Sequence, residues 1–266
     1  MFLQRAAISL TLGPLLIYLI LLGGWFYFIP VFIFLIIATI EYVRLTGALG
    51  RQVPIWLLLP ATIALWFDGQ LSLDLMAPIL GLSLFAALCY ALYLYERQKS
   101  GAATTDWFAL VAGIMLLGWV ASYFFRLPSL DVEWPRRWTV LAMVATWLAD
   151  SGAYVFGKRF GRRKLSPRLS PNKTIEGYVS GIIVSLIGSY IAFRLLQLDN
   201  LTLALTLSLL VSVFATAGDL GISMLKREAG VKDSGNILPG HGGALDRIDS
   251  LAWAMVLAYF LVSYLA

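Results

Sequence analysis

Four aspartates, Asp219, Asp233, Asp246 and Asp249, fall within one polar stretch, Gly218 to Ser250, of a very apolar chain. The same stretch holds the cations Lys226, Arg227, Lys232 and Arg247 and the only histidine, His241. Ionisable groups beside a bilayer are costly and mark function by default. Asp219, Ser223 and Lys226 are spaced i, i+4, i+7, so they share one face of a helix. Gly230 permits a helix stop. Pro239-Gly240-His241-Gly242-Gly243 must turn, because these residues allow backbone angles that few others take. Asp246 and Asp249, i and i+3 at the start of the next apolar run, share a face too. A hairpin of two helices is expected to bring Asp219 close to them. Oxygen ligands without a thiolate suit Mg²⁺ or Mn²⁺, which keeps waters and binds substrate phosphates. The expected site therefore holds such a cation on Asp219, Asp246 and Asp249, with a second cation allowed for. The nearby Lys and Arg would meet the phosphate oxygens that the metal does not take. The bland alternative is a solvated loop whose charges pair with one another, its carboxylates favoured by the helix dipole. It suits any one aspartate but fits the whole constellation poorly.

A second informative stretch runs from Asp150 to Gly177. Asp150 lies at the end of an apolar run, where a carboxylate needs a partner or water. Gly152-x4-Gly157-Lys158 looks like the start of a phosphate-binding P-loop, but Arg159 replaces the required Ser or Thr and no strand precedes it, so that match is rejected. The cations Lys158, Arg159, Arg162, Arg163, Lys164, Arg168 and Lys173 follow. Such a run is drawn to anionic headgroups by about 1 kcal/mol per residue. Ser170-Pro171-Asn172-Lys173-Thr174-Ile175-Glu176-Gly177 reads as a helix start with Thr174 or Asn172 as cap, where backbone amides can bind a phosphate. Glu176 is well placed at the positive end of that helix.

These residues sit in a chain of 266 that is 60% hydrophobic and 13% charged, with a mean hydropathy of +0.82. A soluble domain does not carry that balance. The expected fold is an all-α polytopic membrane protein with about nine transmembrane helices. The apolar runs are Ala6–Leu22, Trp25–Val43, Pro54–Phe67, Leu71–Tyr95, Trp107–Phe125, Trp138–Phe156, Ile175–Leu196, Leu201–Ala217 and Ile248–Leu265. The third is short for a bilayer core of about 30 Å. A single membrane domain over 1–266 is expected, with N-terminal spans up to 145 and catalytic spans and loops from 146. The first run lacks a convincing cleavage site and reads as a retained span. Cys89, the only cysteine, excludes a disulfide framework and a cysteine metal cluster. The net charge of +5 points modestly to an anionic partner.

With nine spans, Arg44, Arg51, Arg97, Lys99, the run Lys158–Lys173, Lys226, Arg227, Lys232 and Arg247 share one side of the membrane. Arg5, Arg126, Arg136, Arg137 and Arg194 take the other. The positive-inside rule makes the first side cytoplasmic, so both charged loops are expected to face the cytoplasm. The expected setting is the inner (cytoplasmic) membrane of a bacterium.

The run Ser223 to Asp249, S-M-L-K-R-E-A-G-V-K-D-S-G-N-I-L-P-G-H-G-G-A-L-D-R-I-D, resembles the signature of the phosphatidate cytidylyltransferases, or CDP-diacylglycerol synthases. It matches at Ser223, Lys226, Arg227, Lys232, Asp233, Pro239, His241, Gly242, Gly243, Asp246, Arg247 and Asp249. Ala244 stands where a larger aliphatic residue is expected. The D-S-G-A-Y-x-x-G-K and S-P-N-K-T-I-E-G runs resemble the same family, so the likeness covers the chain from Asp150 onward. It implies that CTP and phosphatidate give CDP-diacylglycerol and pyrophosphate. A lipid phosphate, with a second pKa of about 6, is already ionised near neutrality and needs no strong base. His241 is then assigned to phosphate contact or leaving-group stabilisation. Lys226, Arg227, Lys232, Lys173 and Arg247 would meet the phosphates, with Asp233 and Glu176 orienting cations. Asp150, Ser170, Asn172, Thr174, Ser223, Gly242 and Gly243 complete the expected substrate site. The expected partners are the two substrates and the bilayer, with no nucleic acid, and a homodimer is allowed for. A CTP-dependent polyprenol or phytol kinase and a multispan transporter are the alternatives. The Ser223–Asp249 match opposes the first. The gathering of polar residues into two loops opposes the second.

Overall fold

The computed structural model describes residues 2–237 and 242–266, so Pro239 and His241 lie outside the described residues. The described residues form eleven α-helices: α1 (Phe2–Leu22), α2 (Gly24–Ala48), α3 (Ile55–Leu71), α4 (Met76–Glu96), α5 (Ala103–Gly113), α6 (Ala121–Arg126), α7 (Pro135–Phe160), α8 (Ile175–Leu195), α9 (Leu201–Phe214), α10 (Thr216–Glu228) and α11 (Leu245–Leu265). A π-helical segment, Ile114–Val120, joins α5 to α6. Two short strands, β1 (Lys164–Ser166) and β2 (Ser170–Thr174), form an antiparallel hairpin between α7 and α8.

Among the described residues seven helical stretches are long and apolar enough to cross a membrane, and Gly13–Leu22 and Ile55–Leu71 are shorter apolar helices. The protein is an all-α integral membrane protein, as its composition predicts. One boundary that differs is the end of α3, which runs on through Asp68-Gly69-Gln70 to Leu71. Asp68 does not end the helix because it is buried and ion-paired with Arg126. The helix stops at Ser72, whose φ of 50° is left-handed. The next helix begins at Met76 rather than at the expected Leu71, its preceding Leu75 amide donating to Asp68 Oδ1 at 2.7 Å.

The chain forms two compact units interleaved in sequence. Gly24–Arg126 and Leu225–Arg247 make up most of the first, and Leu10–Gly23, Leu127–Met224 and Ile248–Ala266 make up the second. In the first, the rings of Phe28, Phe32, Phe67 and Phe125 cluster where α2, α3 and α6 meet, with Phe28 stacked on Phe32 and Phe32 edge-on to Phe67. The buried Trp66 indole donates to the Leu117 carbonyl at 2.7 Å. A π turn releases carbonyls from the regular ladder, and Trp66 takes one of them. In the second unit, α7 and α8 meet through small residues. A Cβ on Gly177 would lie 2.6 Å from the Ala153 carbonyl and 2.8 Å from Gly157 Cα, and one on Gly181 would lie 2.5 Å from the Ala149 carbonyl. Gly152, where a Cβ would lie 2.8 Å from Val184 Cβ, and Gly157, where it would lie 3.2 Å from Gly177 Cα, are the glycines of the rejected P-loop match, and they serve the same close helix packing, the usual work of small residues between membrane helices.

Candidate active site

In the second unit the two polar stretches meet. β2 carries Lys173, whose Nζ lies 2.5 Å from Asp219 Oδ2 on α10. Ser223 donates to the other oxygen, Oδ1, at 3.1 Å. This is the i, i+4 face that the spacing predicts. Both charged side chains keep 27% exposure, so the pair is open to solvent. Gly218, next to Asp219, packs on the backbone of Asp249 so closely that a Cβ there would overlap the Asp249 carbonyl. α10 and the start of α11 are thereby held together at the two aspartates.

The hairpin that delivers Lys173 is fixed at both ends. Thr174 caps α8, its Oγ1 accepting from Gly177 N at 3.1 Å. Glu176 accepts from the amides of Arg162 and Arg163 at 2.9 and 3.1 Å. Glu176 thus orients the chain entering the hairpin through backbone bonds. Ser170 and Asn172 lie on β2, with Asn172 exposed, and Asp150 is exposed on α7.

In the first unit Lys226 Nζ lies 2.5 Å from Asp246 Oδ1, with side-chain exposures of only 9% and 6%. Asp246 Oδ2 accepts from Ser234 N at 2.9 Å, Ser234 Oγ at 3.0 Å and Gly243 N at 2.9 Å. The turn that permits this needs Gly242, whose φ is +82° and whose absent Cβ would sit 2.6 Å from Asp246 Oδ2. Arg227, Lys232, Asp233 and Arg247 are exposed, and Arg227 donates to the Val231 carbonyl at 3.0 Å. Asp249 accepts from the adjacent Ser250 amide at 2.7 Å.

One residue at this cluster escapes the sequence reading. Glu41, on α2, is buried at 3% exposure. Its carboxylate accepts from Ser234 Oγ at 2.7 Å, Ala244 N at 3.0 Å and Leu245 N at 2.9 Å. A Cβ on Gly235 or Gly243 would overlap it. Glu41 is the only acidic residue of a long apolar helix, and a carboxylate within such a run was the available signal.

Whether these residues suit a divalent cation rests on the donors themselves. All are hard carboxylate and hydroxyl oxygens, the kind that Mg²⁺ takes. A lysine ammonium already lies on an oxygen of each of Asp219 and Asp246, so positive charge is held at both. Among the described residues no three or more His, Cys, Asp or Glu side chains converge as a metal site. Mg²⁺ usually needs only one or two carboxylates and draws its other ligands from water and substrate phosphates, so the donor set fits in kind.

Comparison with known proteins decides the kinship. A model of the cytidylyltransferase family matches residues 3–265. The chain belongs to this family. A phosphatidate cytidylyltransferase of Bacillus subtilis is 37% identical over 226 residues, covering 84% of this chain and 81% of that protein. One from Synechocystis is 33% identical, covering 96% and 94%. A Staphylococcus aureus protein of the same name is 43% identical over 127 residues, 47% of this chain. The cytidylyltransferase match reaches the N-terminal spans as well, beyond the C-terminal half in which the signature runs lie.

Proposed function

We propose that this cytidylyltransferase-family protein transfers the cytidylyl group of CTP to phosphatidate, giving CDP-diacylglycerol and pyrophosphate. The observation that carries the reading is the Lys173–Asp219 contact, which joins the two polar stretches that carry the family resemblance. The central obstacle is bringing two polyanions together. Lys173, Lys226 and the exposed Arg227, Lys232 and Arg247 supply cationic donors for the triphosphate and the lipid phosphate. The lipid phosphate attacks the α-phosphorus of CTP, and pyrophosphate leaves with the bond electrons. The attacking group is already ionised, so no buried base is required. Asp219, Asp246 and Asp249 are the proposed ligands for Mg²⁺, which needs only one or two of these carboxylates and takes the rest of its shell from water and phosphates. When bound, the ion neutralises phosphate charge and helps align the attack.

The proposed setting is the bacterial inner membrane with the charged loops in the cytoplasm, in keeping with the Lys and Arg distribution. Two measurements test the reading. Protein reconstituted with phosphatidate, CTP and Mg²⁺ should yield a CDP-lipid by mass spectrometry, and a phosphorylated lipid with free CDP would indicate a kinase instead. In a Cys89→Ser background, cysteines placed at Arg163 and Asn236 should react with an impermeant thiol reagent only from the cytoplasmic side. Labelling of either from the outside contradicts the orientation.

A further inference from the structure

We infer that Glu41 is a positioning residue for the reaction: from α2 it sets the start of α11 and, through Ser234, the carboxylate of Asp246. The inference rests on the proposed role of Asp246 and adds a residue from the N-terminal half to its support. Ala244 N and Leu245 N open α11, where the first amides of a helix have no partner within it. Both residues are buried, so water does not serve them. Glu41 takes both amides, and a negative charge there also suits the helix dipole. It acts as a cap supplied from another helix.

The link to Asp246 is Ser234. Its Oγ lies 2.7 Å from Glu41 Oε2 and 3.0 Å from Asp246 Oδ2, and its amide donates to the same Asp246 oxygen at 2.9 Å. A hydroxyl has one hydrogen, so it serves one carboxylate at a time and is set by both. Gly243 closes the arrangement. Its amide holds Asp246, and its missing Cβ leaves the room that Glu41 fills. Displacing the Glu41 carboxylate therefore disturbs three of the four donors to Asp246 at once, both groups of Ser234 and the Gly243 amide. Lys226 is the fourth.

Purified Glu41→Gln and Ser234→Ala test this. Glutamine keeps the shape but turns an NH₂ toward the backbone and hydroxyl donors. Hydrogen–deuterium exchange of the peptide covering residues 242–250, without substrate or metal, should quicken about tenfold or more in Glu41→Gln while the α7–α8 peptides stay at wild-type rates. The Mg²⁺ concentration for half-maximal turnover should rise by about 10–100-fold, the usual scale for losing a partner of a ligand, with the KM for phosphatidate little changed. Ser234→Ala should raise the Mg²⁺ requirement while leaving the exchange of Ala244 and Leu245 slow. Wild-type exchange in Glu41→Gln overturns the inference, as does an unchanged Mg²⁺ requirement in Ser234→Ala. Should Glu41→Gln fail to fold, Glu41→Asp takes its place with the same expected directions, and wild-type behaviour there overturns the inference. The exchange measurement needs no activity, so it stands if the proposed reaction fails.

Discussion

Removing the charge of Asp246 should cost both stability and turnover, by amounts the geometry sets. Asp246 receives four donors, and its ion pair with Lys226 is almost wholly buried. Breaking a buried pair by removing one partner costs about 3–5 kcal/mol, because the other charge is left uncompensated. Asp246→Asn strands the Lys226 ammonium and turns an NH₂ toward existing donors, so it belongs near the top of that range. Lys226→Met leaves Asp246 with its Ser234 and Gly243 donors, so it belongs near the bottom, at about 3 kcal/mol. The double variant should cost less than the sum of the singles by about 1–3 kcal/mol, the coupling expected of residues in contact. Denaturant unfolding in mixed micelles measures all four corners of the cycle. Turnover under saturating CTP and Mg²⁺ should fall at least about a hundredfold in each single variant, as when a charge-stabilising group is lost at a reacting phosphate. Additive costs, or an Asp246→Asn protein with wild-type turnover, would refute the reasoning.

Lys173→Met should separate the two effects. Lys173 and Asp219 are more than a quarter exposed, so stability should change by no more than about 1 kcal/mol, while kcat/KM falls about a hundredfold. Wild-type kinetics would remove Lys173 from the site. Gly177→Ala should do the reverse. Its Cβ would press on the Ala153 carbonyl and Gly157 Cα, both backbone, so α7 and α8 must separate at a cost of about 1–3 kcal/mol. An unchanged unfolding midpoint would show that the seam gives easily.

The helices were legible because long apolar runs allow little else in a bilayer. The face shared by Asp219 and Ser223 was legible because helical spacing alone decides it. Thr174 as a cap was equally open to reading. Other features lie in tertiary pairing that periodicity does not encode. The apolar run Pro54–Phe67 stops short of Asp68, which lies inside the helix and is ion-paired with Arg126. The β1–β2 hairpin is only a few residues per strand and interrupted by Pro167 and Pro171, so it gives no alternating pattern. Glu41 falls inside the apolar run Trp25–Val43, whose periodicity does not show its partners. Its meaning comes from Ser234, Ala244 and Leu245, some two hundred residues away in sequence.

The fate of the phosphorus atoms of CTP tests the proposed reaction most directly. Protein in detergent with phosphatidate and Mg²⁺ is given CTP labelled at the α-phosphorus in one tube and at the γ-phosphorus in another. Attack at the α-phosphorus predicts that the α-label enters the lipid phase and the γ-label is released as pyrophosphate. Entry of the γ-label into lipid, with the α-label left in CDP, would contradict it.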